Sequence, residues 1–221
     1  MGRSYHQFCG LARALDVVGD RWSLLIVRQL LVGPARYTEL LAGLPGIATN
    51  LLADRLRQLE DAGVVEKGPA DRAGASAYAL TSWGEGLRGP VDGLIRWSVP
   101  LMARGPGNDR FQLEWLALAL PALLTGRRAS HTIGIDIDGE LLQVRATSRG
   151  VEVARHDGRE LEGVLHADAW TVLGLASGAV TLGDAGASFV VDGDAEAVRA
   201  LFETPGPSAP RKQRERPRQR R

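Results

Sequence analysis

The stretch from Thr49 to Ala62 carries the residues best suited to reading another molecule. Asn50 and Arg57 can each offer two hydrogen bonds at once, a carboxamide to adenine and a guanidinium to guanine. Ala53 lets the segment approach closely or touch a thymine methyl. Asp54 has two open roles, accepting from cytosine or orienting Arg57 as a helix neighbour. Thr49 and the backbone amides around it suit a phosphate. Arg36, Arg55, Lys67 and Arg72 place positive charge before, within and after the stretch, where a duplex backbone would be met.

These side chains need a helix to share a face. Leu52, Leu56 and Leu59 recur at i, i+4 and i+7, which predicts a helix over Thr49–Ala62 with a buried leucine stripe. Asn50, Asp54, Arg57 and Asp61 then lie opposite, with Ala53 beside them. Gly63 suits the helix end. Further helices are expected over Leu11–Val18, over Arg21–Val32 with Asp20 as N-cap, and over Tyr37–Leu44 up to Pro45-Gly46. Val64–Lys67 and Ser76–Leu80 read as two strands around the glycine-rich segment Gly68–Ala75. Thr81 or Ser82 then caps a long helix towards Met102, kinked at Gly89-Pro90. Two short helices, a tight turn, a reading helix and a hairpin make the layout of a winged helix-turn-helix, whose second helix can lie in a major groove.

Glycine and proline at Arg104-Gly-Pro-Gly-Asn-Asp109 mark a linker and change the pattern. Phe111–Thr125 is strongly apolar and expected to be helical. Ile133, Ile135 and Ile137 alternate in a strand over Thr132–Asp138, and Asp138-Gly139 turns it into Leu141–Ala146. Asp157-Gly158 is read as a second turn, joining strands Val151–Arg155 and Leu161–Leu165. Asp168 caps a helix through Leu175; a strand at Phe189–Val191 and a helix at Ala195–Phe202 follow. The fold class is therefore α+β. A winged helix-turn-helix at 1–104 precedes an α/β-mixed domain at 105–207, with a mostly antiparallel sheet packed by apolar helices. Residues 208–221 form a basic tail read as disordered.

Charge divides the same way. Residues 1–104 hold 12 basic and 10 acidic side chains, residues 105–207 hold 8 and 15, and residues 208–221 hold 7 and 1. An acidic domain between a mildly basic one and a basic tail points to a polyanion partner for the basic parts. The tail either adds nonspecific affinity for that partner or folds back on the acidic domain. With 44% apolar and 24% charged residues the chain can bury ordinary cores. No apolar run is long enough for a bilayer, and the N-terminus lacks a signal-peptide pattern, so a cytoplasmic protein with no membrane partner is expected. A single cysteine and four scattered histidines exclude an internal disulfide and a zinc cluster. No nucleotide loop, nucleophile elbow or metal-ligand set is present, so neither an enzyme nor a cofactor is expected. Asp136-Ile-Asp138-Gly139 looks like a calcium loop but lacks the remaining ligands.

Residues 9–102 resemble the HxlR family of winged-helix regulators, relatives of the MarR type. The matching blocks are Cys9 ahead of Leu15-Asp-Val-Val-Gly-Asp-Arg-Trp-Ser-Leu-Leu-Ile-Val-Arg-Gln-Leu30, then Arg36-Tyr-Thr-Glu-Leu40, Leu44-Pro-Gly-Ile47, Leu52-Ala-Asp-Arg-Leu-Arg-Gln-Leu-Glu60, Gly63-Val-Val65, and Tyr78-Ala-Leu-Thr81 with Gly84. The resemblance implies a homodimer on a palindromic operator in double-stranded DNA, paired through the N-terminal segment and the long helix after the wing. Where the family often has Ser or Thr, this chain has Ala48, which leaves capping to Thr49. Cys9 stands where some relatives carry a redox- or electrophile-sensing thiol, with His6 and Arg13 as its nearest cations. The alternative is a small buried hydrophobe near the dimer interface.

Residues 108–203 resemble more loosely the sterol-carrier-protein-like fold, through Ile135-Asp-Ile-Asp-Gly-Glu140, His166-Ala-Asp-Ala-Trp170, Gly178–Leu182 and Phe189-Val-Val-Asp-Gly-Asp194. That resemblance implies a tunnel for a small apolar ligand, with Trp115, Leu116, Leu120, Leu123, Trp170, Leu173 and Phe189 as candidate lining; the alternative is ordinary core. The resulting expectation is a ligand-responsive transcription regulator, a repressor by preference. The competing expectation is a carrier of lipids or apolar metabolites that uses its N-terminal domain to dimerise.

Overall fold

The structure is a computed structural model that describes residues 4–68, 76–102, 105–126, 131–148 and 150–203. The first half is built from α1 (Gly10–Val18), α2 (Ser23–Val32), β1 (Ala35–Arg36), α3 (Tyr37–Gly43), α4 (Thr49–Asp61), β2 (Val65–Lys67), β3 (Ala77–Leu80), α5 (Ser82–Glu85) and α6 (Arg88–Met102). Leu52, Leu56 and Leu59 of α4 are buried against Ile26, Val27 and Leu30 of α2 and Leu40 of α3, in one apolar cluster.

Local details depart from the sequence reading in instructive ways. Asp20 is not the cap of α2. Its carbonyl accepts the Ser23 amide in a turn, the helix starts at Ser23, and the Asp20 carboxylate pairs with Arg55 instead. Thr49 is the first helical residue of α4, so the cap position falls to Ala48, which has no side chain to offer. The two-residue β1 is too short to leave a periodic signal, and exists because it pairs with β3 at Ala35↔Tyr78; the small sheet runs β1-β3-β2. The expected long helix breaks at Gly86-Leu87 rather than at Gly89-Pro90. Thr81 Oγ1 accepts the Gly84 amide at 3.0 Å to cap α5, and Pro90 then falls in the first turn of α6, where no donor is needed. Gly84 is required there: a Cβ would meet the Val64 carbonyl oxygen at 2.1 Å.

The second half opens with a 3-10 turn (Leu113–Trp115) and α7 (Leu116–Leu123), shorter than the run expected from Phe111. It continues with β4 (Thr132–Ile137), β5 (Glu140–Thr147), β6 (Gly150–Arg155), β7 (Gly163–Ala167), α8 (Ala169–Ser177), α9 (Leu182–Ala185), β8 (Phe189–Gly193) and α10 (Ala195–Phe202). Asp168 caps α8 by accepting the Thr171 amide at 2.6 Å. The sheet runs β6-β5-β4-β7-β8 and is mixed: three pairings are antiparallel, but β4 and β7 are parallel. The Asp157-Gly158 turn therefore does not make a hairpin, because β5 and β4 stand between β6 and β7. The connecting segment crosses the open sheet face, where Leu161 sits over Gly134; a Cβ on that glycine would lie 2.9 Å from Leu161 Cδ1.

Ile133, Ile135 and Ile137 face a core closed by α7, α8 and α10. Helix α7 belongs to both cores. Leu116 and Leu120 join the sheet cluster, whereas Leu118, 2% exposed, is buried with the α2 and α4 residues. Arg96 of α6 donates from Nη1 to the Ala122 carbonyl of α7 at 3.1 Å, tying the two halves together again. No helix among the described residues is long and apolar enough to cross a membrane.

Candidate nucleic-acid interface

The buried stripe of α4 turns its other side outward. Thr49, Asn50, Asp54, Arg57 and Asp61 are exposed, and Ala53 is half-buried beside them. Two contacts hold the start of this helix. Tyr37 Oη donates to the Thr49 carbonyl at 2.6 Å, locking α3 to α4. The Trp22 ring lies against Gly46, whose φ of +93° lets the connecting turn form. Arg57 Nη1 lies 3.3 Å from Asp54 Oδ1, so this carboxylate orients the guanidinium along the exposed face. Asn50 Oδ1 accepts the Leu51 amide at 2.9 Å.

The other basic candidates divide. Arg55 is 19% exposed and turned sideways, held by Asp20 and Gln58. It ties α4 to the α1–α2 junction rather than facing outward with Arg57. Its place beside the leucine stripe on the helical wheel was the available signal. Its partner Asp20 lies 35 residues away in sequence, so pattern alone could not name it. Arg36 opens α3, half-buried, with its backbone N–H donating to Glu39 Oε2 at 2.6 Å. Lys67 is exposed at the end of β2, its ammonium 5.6 Å from the centre of the Tyr78 ring. Arg72 lies outside the described residues, as do most of the Gly68–Ala75 loop and all of residues 208–221. The Tyr37–Thr49 lock was missed by sequence reasoning, since nothing in the spacing announces a hydroxyl-to-carbonyl bond.

Cys9 is exposed at the cap position of α1. Its thiol is held below the ordinary value first by the Ala12 amide and then by the Leu11 amide, against a smaller opposing effect of burial. Arg13, expected nearby as a cation, turns to Asp16 at 3.4 Å. Asp16 also accepts the Tyr5 amide at 2.8 Å and the Ser4 hydroxyl at 3.1 Å, which hooks the N-terminal segment onto α1.

The seven residues expected around an apolar ligand stand in different surroundings among the described residues. Leu116 and Leu120 are fully packed core, and Leu123 and Leu173 pack against them. Trp115 contacts α2 instead, and Trp170 is half-buried on α8. Phe189 lines a groove of about 580 Å³ with Leu182, Val191, Val198, Arg199 and Glu203. Helix α7 does double duty, with Leu116 and Leu120 packed into one core and Leu118 into the other. Among the described residues, no group of three His, Cys, Asp or Glu could hold a metal.

The family model of the HxlR-like helix-turn-helix matches residues 17–105. The uncharacterized HTH-type transcriptional regulator YvaP of Bacillus subtilis strain 168 is 34% identical over 87 residues, which cover 39% of this chain and 81% of that protein. The HTH-type transcriptional regulator YodB of the same organism is 31% identical over 86 residues, covering 38% of this chain and 77% of YodB. The solved reduced form of YodB is 29% identical, covers 45% of this chain and 99% of its own, and superposes with a TM-score of 0.39.

Proposed function

This chain belongs to the HxlR-like helix-turn-helix family, whose relatives are transcription regulators rather than enzymes, and from that premise we propose that it is a DNA-binding transcription regulator that reads its operator with α4. The observation that carries the proposal is the exposed face of Asn50, Asp54 and Arg57 on a helix whose opposite leucines are locked in the core. Thr49, Ala53 and Arg36 frame that face, while Lys67 and Arg72 supply wing contacts to phosphate. Arg55 acts here as a brace for α4. The regulator works as a homodimer on a palindromic site and represses by occupying it. Exposed apolar side chains support the dimer: Tyr5, Phe8 and Leu11 at the N-terminus, and Leu94, Trp97 and Leu101 at i, i+3 and i+7 on α6, with Trp97 73% exposed.

Footprinting on the DNA beside its own gene tests the reading. A protected inverted repeat is expected, and Asn50→Ala should cost about 1–3 kcal/mol there while relaxing preference at one base pair. Uniform weakening on all duplexes would remove Asn50 from base reading. The basic tail adds nonspecific affinity, so deleting residues 208–221 should flatten the salt dependence of binding; an unchanged slope would exclude that role.

Two regulatory inputs belong to the same proposal. The groove at Phe189 takes a small apolar ligand, supported by its lining of Leu182, Val191 and Val198; native mass spectrometry showing no uptake of any apolar compound would end that role. Cys9 senses electrophiles, supported by its exposure and the amides that favour its thiolate. Alkylation of Cys9 should change operator affinity, and a Cys9→Ser protein should be indifferent to the reagent.

A further inference from the structure

Trp115 belongs by sequence to the second half, yet its indole N–H and one face of its ring are held by α2 of the first. Its indole N–H donates to Gln29 Oε1 of α2 at 3.0 Å. The Arg28 guanidinium lies 4.1 Å from its ring centre, and Phe111 meets its edge at 6.3 Å and 83°. Arg28 is held there at a cost: burial lowers its pKa to about 10, and its buried Nε has no hydrogen-bond partner. Three residues on, Leu118 enters the core of the first half, and the Ala122 carbonyl is taken by Arg96. The strip from Phe111 to Ala122 is thus fastened to α2 and α6 at several points.

The Gln29 amide is also committed on its other side. Its Nε2 occupies the notch that the missing side chain of Gly43 leaves at the end of α3; a Cβ there would lie 1.8 Å from it. A contact line therefore runs from Trp115 through Gln29 to α3, and from α3 through the Tyr37–Thr49 bond to the start of α4. We propose that Trp115 is a positioning residue for DNA reading: its N–H holds the Gln29 amide in the Gly43 notch and so sets where α3 and α4 stand against α2. The second half is then part of the reading head rather than an appendage. This proposal rests on the DNA-binding reading above.

The test uses the full-length protein with its preferred duplex and an unrelated one, alongside thermal unfolding. Trp115→Phe keeps a ring over Arg28 but removes the donor, and should weaken the preferred duplex at least about fivefold while leaving the unrelated duplex unchanged. Gln29→Met should do the same, and the double variant should lose no more than either single one. Gly43→Ala, which ejects the Gln29 amide, should match them, with no added loss in a Gln29→Ala background. Ile137→Val, a mild core change in the sheet, should lower stability and leave both affinities alone. If Trp115→Phe leaves the preference intact, weakens both duplexes alike, or adds to Gln29→Met, the positioning role is overturned while DNA reading stands. A wild-type protein that prefers no duplex overturns the DNA reading, and this proposal with it.

Discussion

Helices α4 and α7 show two ways of using apolar residues. Helix α4 concentrates three leucines on one stripe and leaves a polar face, so one side packs and the other meets solvent. Helix α7 is apolar all round, Leu116-Ala-Leu-Ala-Leu-Pro-Ala-Leu123, because it is a wall between two cores: Leu116 and Leu120 face the sheet, and Leu118 faces the winged helix. A helix that is hydrophobic on every side must be buried on every side. Polar faces on half-buried helices are where recognition is to be sought; a uniformly greasy helix is first a structural partition, before it is a ligand wall.

This contrast can be broken by experiment. Leu118→Ala should have the largest effect, about 2–5 kcal/mol of stability measured by denaturant unfolding, since it empties a fully packed site. A loss below about 1 kcal/mol would mean that α7 does not bridge the cores. Arg57→Ala on α4 should leave stability nearly unchanged and cost about 1–3 kcal/mol on the operator, with relaxed preference at one position. If it destabilised the fold instead, the outward face would be structural. Arg96→Met, which removes the tie between α6 and Ala122, should cost about 0.5–1.5 kcal/mol of stability without altering base preference; altered preference would extend the reading surface to α6.

The smallest effect concerns the N-terminal hook. The Asp16 carboxyl is held below its ordinary value chiefly by the Tyr5 amide, which outweighs the opposing effect of burial, with smaller help from Ser4 and Arg13. A group whose pKa is depressed in the folded state stabilises above its unfolded pKa and loses that contribution as pH falls through the folded one. The Tyr5 amide should therefore be protected at neutral pH and released on acidification below the ordinary carboxylate range, and Asp16→Ala, which removes the acceptor, should release it at every pH. Amide exchange monitored by NMR separates these outcomes; protection independent of pH would show that the hook is held by other contacts.

Sequence by itself determined what is local or periodic. The leucine spacing of α4 marks its buried stripe, Asp168 announces the start of α8 three residues before the amide it accepts, and Ile133, Ile135 and Ile137 declare a strand face. The order of the HxlR-like blocks in residues 9–102 was legible for the same reason, since a winged helix is assembled from neighbours in the chain. What tertiary structure alone decided is everything that joins distant residues. Arg55 reads as a DNA contact until Asp20 claims it, Asp157-Gly158 reads as a hairpin until β7 pairs with β4, and Trp115 reads as ligand lining until Gln29 takes its N–H. In each case a side chain or strand had more than one partner compatible with its local pattern. The choice among them was made by packing, because only the closed cores bring together groups that lie tens of residues apart.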